Sequence, residues 1–126
     1  MNSVKVDICC GLAWGDEAKG KVVAQLAKSG KYNMVCRWSG AHNSGHTVYV
    51  NKKKYQTHLI PSGVFYNILS VIGPDCLVDK NAFVSELNYL KENGFNTNLV
   101  KISQLCHVIQ NEHVLEDKKT YVKTQG

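Results

Sequence analysis

The stretch "GDEAKGKV", residues 15–22, has the spacing of a phosphate-binding loop, G-x-x-x-x-G-K, formed by Gly15, Gly20 and Lys21. Such loops continue with Ser or Thr, whose hydroxyl holds the magnesium of a bound nucleotide. Here the next residue is Val22, which has no oxygen to offer. Instead a carboxylate, Asp16, stands inside a loop built to receive anions, with Glu17 beside it. Backbone N–H groups of a glycine loop at a helix N-terminus converge on an anion, and the helix dipole adds to them. Gly15, Gly20 and the pair Lys19 and Lys21 therefore suit nucleotide phosphates. A glycine turn that merely joins a strand to a helix explains the same residues taken alone. Asp16 shifts the balance, because a carboxylate beside phosphate oxygens is repelled unless a cation lies between them or it moves a proton. It suits a magnesium ligand in place of the missing hydroxyl, and a general base. A cap on the first helical turn is the structural alternative.

Working outward, residues 4–9 alternate and are β-branched, which predicts a first strand. The spacing of Val22, Val23, Leu26 and Ala27 predicts one buried face of a helix over Lys19 to Lys28, stopped by Gly30. "YNMVCRW" reads as a second strand. Strand, phosphate-type loop, helix, strand opens an α/β fold: a P-loop-like nucleotide-binding domain with a central, mostly parallel sheet. "TVYV" and "YQTHLI", on either side of Asn51 and a lysine run, predict a β-hairpin. "ILSVIG" and "CLVD" read as two short strands. Asp79 is placed to cap a helix through "KNAFVSELNYLKEN", with Phe83, Leu87 and Leu90 inward and Gly94 ending it. "LVKI" predicts another strand, and "LCHVIQ" a strand or a buried connection. No repeat or linker divides the chain, so residues 1–126 are expected to form a single α/β domain.

The 126 residues are 44% hydrophobic and 20% charged, enough for one ordinary core. No apolar run approaches the length that crosses a bilayer, and the N-terminus reads as a strand rather than a signal peptide. A soluble, cytoplasmic protein with no membrane partner is the expectation. The net charge of +5 favours anionic ligands without saying which. Of the fifteen basic residues only Arg37 is arginine, which argues against a nucleic-acid partner read through its bases. The run Lys52, Lys53, Lys54 is read as a solvated hairpin turn. Five cysteines with no C-x-x-C pair support neither a zinc site nor a disulfide framework, and are expected to be reduced.

A second polar loop, "SGAHNSGHT" from Ser39 to Thr47, leaves the end of the second strand, the edge where α/β sheets bind ligands. It carries His42, Asn43, Ser44 and His46. The two histidines have the i, i+4 spacing of a helical zinc pair, but Gly45 and the lack of a third ligand argue against zinc. A loop histidine is ordinarily a surface residue. Two such loops at neighbouring strand ends make one of these histidines a candidate acid.

Taken together, "GLAWGDEAKGKVV", "VCRWSGAHNSGHTVYV" and "HLIPSG" resemble the N-terminal part of the adenylosuccinate synthetases. That family couples GTP hydrolysis to the ligation of IMP and L-aspartate, in AMP synthesis. The family signature W-G-D-E-G-K-G-K is met over residues 14–21 except that Ala18 replaces a glycine. Ala13 stands where glutamine is common, and Ala41 where the second loop has a further glycine. Ala18 restricts the loop if that position needs a positive φ.

The resemblance implies an answer to the carboxylate in the loop. Asp16 removes the N1 proton of IMP and binds Mg2+, with the backbone carbonyl of Gly45 as a further magnesium ligand. The resulting 6-oxyanion attacks the γ-phosphate of GTP, His46 acts as acid on the purine 6-oxygen, and Lys19 steadies the transferring phosphoryl group. Aspartate's amine then displaces phosphate. Gly15, Glu17, Gly20, Lys21, Asn43, Ser44 and Thr47 are carried as nucleotide or phosphate contacts, and Thr124 in "VKTQG" as part of the IMP phosphate loop. Family members are longer and form homodimers, so the chain is expected to be an N-terminal fragment, inactive alone. Two rivals stand beside this: a non-catalytic nucleotide-binding or scaffold fragment, and a ligase for another purine nucleotide such as dGMP. Asp16 argues against the latter, since relatives acting on dGMP replace that residue.

Overall fold

The computed structural model describes residues 4–10, 19–41 and 45–109. Helix α1 (Lys19–Lys28) leads through Gly30, at φ +78°, into strand β1 (Met34–Gly40). Strands β2 (His46–Val50) and β3 (Lys53–Thr57) form an antiparallel hairpin. A 3-10 turn (Ser62–Tyr66) precedes strand β4 (Leu69–Asp79) and helix α2 (Lys80–Glu92). Short strands β5 (Val100–Ile102) and β6 (His107–Ile109) follow. β1, β5 and β6 all pair with β4 in parallel, which is the expected parallel α/β sheet.

Local chemistry explains most of these boundaries. The Asp79 carboxylate accepts the Ala82 N–H at 3.0 Å, capping α2. At its other end Gly94, φ +85°, lets Phe95 donate back to the Leu90 carbonyl at 3.0 Å. Asn51 and Lys52 both have positive φ, 52° and 67°, as a two-residue hairpin turn with right-handed twist demands. Of the three lysines expected in the turn only Lys52 is there, while Lys53 and Lys54 open β3; all three are exposed.

The two strands expected over residues 68–79 are one. Gly73 and Pro74 lie opposite the single residue Trp38, between the pairs Ile72↔Arg37 and Asp75↔Ser39. A proline has no N–H for the ladder, and this bulge gives it a place without one. A Cβ on Gly73 would stand 3.0 Å from the Arg37 carbonyl oxygen, so only glycine lets the strands approach there.

The first strand expected at residues 4–9 does not form; residues 4–10 carry no ladder pairing. Val4, Val6 and Ile8 do alternate, but they are 89%, 72% and 73% exposed. No described layer covers that face, so strand formation there would bury nothing. Polar contacts hold the segment instead: Tyr32 donates its hydroxyl to Asp7, which pairs with Lys5 at 3.5 Å.

The core runs from the hairpin across the 3-10 turn to β4 and α2. Leu59, Ile60, Ile72 and Leu90 are essentially sealed. Tyr55, Phe65 and Phe95 meet with ring centroids 4.9–5.6 Å apart, two of the three pairs edge-to-face. On α2, Leu90 is buried with Phe83 and Leu87 packed partly against the core, as their spacing predicts. On α1 the buried positions are Ala24 and Ala27, whereas Val22 and Leu26 face outward. Small residues allow α1 to lie close over the hairpin and the 3-10 turn, which turns its bulkier apolar face away.

Candidate nucleotide-phosphate site

A cleft of about 490 Å³ opens between the start of α1, strand β1 and the segment following β3. Lys19 and Gly20 enter it from the first turn of α1. His46, the first residue of β2, enters from the hairpin, and Pro61 and Ser62 form a wall. Arg37 and Ser39 line it from the last turns of β1, at the carboxyl end of a parallel strand, where open α/β sheets bind ligands.

The approach of Gly20 to His46 is tight. A Cβ on Gly20 would fall 2.9 Å from His46 Nδ1, so the helix comes this near to the imidazole only because residue 20 is glycine. Gly45 is equally confined, a Cβ there meeting Gln56 Nε2 at 2.5 Å and His58 Nε2 at 3.0 Å. Gly63 fits for the same reason against Ser70 Oγ, at 2.7 Å. The glycines of "SGH" and "IPSG" thus make room for side chains at the site.

Burial holds the His46 imidazole below the usual histidine value, and the cations Arg37 and Lys19, together with His58, push the same way. Glu86 pulls it up, but by less than the others push it down. At neutral pH the ring is therefore uncharged and offers one N–H donor. A neutral donor beside a lysine and an arginine suits an oxygen that gains negative charge.

Arg37 organises the surroundings through its guanidinium, which donates to the carbonyl oxygens of His58 and Ala41, and to that of Ser39 at 3.3 Å. Burial lowers its pKa from the ordinary arginine value. Cys9, Cys10 and Cys36 also line the cleft. All five cysteines are free: Cys10 and Cys36 are exposed, Cys9 and Cys106 half-buried, and Cys76 buried.

Of the residues singled out from sequence, Lys19, Gly20 and His46 come together in the cleft. Gly45 and Thr47 flank His46 without lining it, and Lys21 stands exposed on α1. Gly15, Asp16 and Glu17, His42, Asn43 and Ser44, and Thr124 lie outside the described residues. Sequence reasoning passed over Arg37 and Glu86 as site residues. Arg37 carried a signal, being the single arginine. So did Glu86, a charge at helical spacing among Phe83, Leu87 and Leu90.

Among the described residues no three His, Cys, Asp or Glu side chains come together as they would around a metal. Magnesium does not require such a cage. It usually keeps several waters and is bound through one or two carboxylates and the substrate's own phosphates. Lys19 and Arg37 give the cleft cations that suit such phosphates, while Asp16, the carboxylate that would meet the metal, lies outside the described residues.

Parallel sheet, helix opening on a Gly-Lys turn, and cleft at a strand's carboxyl end define an α/β fold of the nucleotide-binding type. The sequence profile of the adenylosuccinate synthetase family matches residues 8–125. The adenylosuccinate synthetase of Halothermothrix orenii is 45% identical over 112 residues, covering 88% of this chain and 26% of that protein. That of Geobacillus kaustophilus is 43% identical over 119 residues, covering 94% and 27%. A solved structure of fully ligated adenylosuccinate synthetase from Plasmodium falciparum superposes with a TM-score of 0.75 at 32% identity, over 89% of this chain and 26% of that one. The chain belongs to the adenylosuccinate synthetase family. It spans about a quarter of the length of these relatives.

Proposed function

We propose that residues 1–126 form one α/β domain supplying the phosphate-binding and proton-handling part of a GTP-dependent ligase that joins IMP to L-aspartate. The convergence of Lys19, Gly20 and a neutral His46 on one cleft carries this reading. Asp16 takes the N1 proton of IMP. The 6-oxygen gains the charge and attacks the γ-phosphoryl group of GTP, while His46 donates a hydrogen bond to that oxygen. Lys19 offsets the charge spread over the transferring group, the kind of stabilisation on which phosphoryl transfer depends. Aspartate's amine then displaces phosphate from the purine. Mg2+, when bound, neutralises phosphate charge, and Asp16 and the Gly45 carbonyl would hold it. Gly15, Glu17, Lys21, Asn43, Ser44, Thr47 and Thr124 are the remaining nucleotide and phosphate contacts of this reading. The setting is cytoplasmic, with a homodimer in the complete family architecture.

A second reading, a nucleotide-binding fragment without turnover, is favoured by one observation: the apolar faces left open beside the cleft, at Val22, Leu26 and residues 4–8. One experiment separates the two. The chain is mixed with GTP, IMP, aspartate and magnesium, adenylosuccinate is followed by its absorbance, and nucleotide binding is measured in parallel by calorimetry. Binding of GTP and IMP, with no binding of the phosphate-free nucleoside inosine, supports the common core of both readings. Turnover selects the ligase in this chain; binding without turnover selects the fragment. Absence of binding overturns both.

A further inference from the structure

Glu86 is the only charged side chain buried among the described residues, 9% exposed. It projects from α2 and does not itself line the cleft, yet the backbone it holds leads straight there. Its Oε1 accepts the N–H groups of His58, Leu59 and Ile60 at 3.0, 3.1 and 2.9 Å. Oε2 accepts Leu59 a second time, at 3.3 Å. Arg37 takes the His58 carbonyl, so this short backbone stretch is gripped by a carboxylate on its donors and a guanidinium on an acceptor.

That stretch carries the site on both sides. Towards the C-terminus, Leu59, Pro61 and Ser62 form the cleft wall. Towards the N-terminus, Thr57 pairs with His46, and the Gln56 and His58 side chains close against Gly45. We propose that Glu86 is a positioning residue for the cleft: one carboxylate oxygen fixes the backbone of residues 58–60, on which Gly45 and His46 stand. An outer layer of this kind, tied to rigid elements, is what keeps a site from being an ångström too loose. The statement about Gly45 and His46 is independent of the ligand; only its consequence for affinity rests on the nucleotide reading above.

Two substitutions separate reach from charge. Glu86→Gln keeps Oε1 and the side-chain length but removes the charge. Glu86→Asp keeps the charge but is one methylene too short to meet all three N–H groups. The His46 ring and Gly45 amide signals are read by NMR, the Tyr55, Phe65 and Phe95 ring signals report an intact core, and affinity is measured for GTP with magnesium. Positioning predicts Gln with near-wild-type His46 and Gly45 signals above pH 6.5, where the ring is neutral in both chains, the lost charge only lowering the His46 pKa further. It predicts Asp with displaced His46 and Gly45 signals, an unchanged aromatic cluster, and affinity lower by about 10–100-fold, as for other outer-layer partners. Unmoved His46 and Gly45 signals in folded Glu86→Asp overturn the proposal, as does Gln disturbing the site more than Asp. If wild type binds no GTP while the signals respond as predicted, the nucleotide reading fails and the positioning role stands. Should the Asp variant not fold, hydrogen exchange on the wild-type chain decides. The amides of residues 58–60 must open together with those of β2, and β2 remaining protected while they open contradicts the proposal.

Discussion

Residues 45–95 and the described residues between 4 and 38 solve the burial problem differently. In the first region apolar periodicity finds a partner at almost every turn. The hairpin lays Val48 and Tyr55 against the 3-10 turn, α2 seals Leu90, and three aromatic rings interlock. In the second the same periodicity leaves faces open: Val4, Val6 and Ile8 in an extended segment, Val22 and Leu26 on α1, Met34 and Trp38 on β1. The cleft lies where the two regions meet. The packed region carries His46, Gly45 and the wall at residues 59–62, whereas the open region carries Lys19, Gly20 and Arg37. Under the proposed function, the packed side would fix the His46 donor and the open side would supply the helix start that meets phosphate.

Substitutions should therefore have unequal effects. The largest stability loss falls in the packed region: Phe65→Ala, at a site only 6% exposed, removes one ring of the aromatic cluster. It should cost about 3–5 kcal/mol in urea unfolding. A loss within about 0.5 kcal/mol, the range of ordinary surface changes, would erase the distinction.

Between the regions, Gly20→Ala places a methyl group 2.9 Å from His46 Nδ1. The imidazole can swing aside, so stability should change by no more than about 1 kcal/mol, an ordinary single-mutant effect. The His46 ring signals should nevertheless move and nucleotide affinity should fall. Unmoved ring signals would show that α1 does not press on His46.

The imidazole also gives the contrast a pH dependence. Its folded value lies below the ordinary 6.5, with burial the leading cause and Arg37 next. In the window between the two values the unfolded chain binds the proton more readily than the folded one. The stability contribution is thus complete above 6.5 and is lost as pH falls through the folded value. An NMR titration of His46 with a midpoint at or above the ordinary histidine value would contradict the neutral-donor role.

The smallest effect belongs to the open region. Val22→Thr on the outer face of α1 should leave unfolding free energy within about 0.5 kcal/mol of the parent, because the near-isosteric change falls on a side chain 48% exposed. Light scattering should show less self-association, since an exposed apolar face is an association site. A destabilisation as large as that of Phe65→Ala would mean that the face is covered in solution.

The same contrast sets how much was legible in the sequence. Helices α1 and α2, the Asp79 cap and the Gly94 stop could be read because local spacing and local hydrogen bonds decide them. Gly20 and His46 could be marked as chemistry-bearing from their loops, but not that they would touch. Strand formation at residues 4–9 was misread because alternation specifies a face and not its partner. The buried face of α1 was legible only in part: Ala27 is buried as its spacing predicts, but closeness to the hairpin turns Ala24 inward and leaves Val22 and Leu26 outward. Glu86 and Arg37 act on backbone groups 21 to 28 residues distant in sequence, so no local pattern names those partners.

The most direct test of the central claim is an amide chemical-shift titration of the chain with GTP and magnesium. Lys19, Gly20 and His46 should shift together along one binding curve. Lys19→Ala should weaken that curve by about 10–100-fold, the equivalent of one charge-assisted hydrogen bond. Signals that stay still while the fold is intact, or that move only at the lysine run of residues 52–54, would contradict the account.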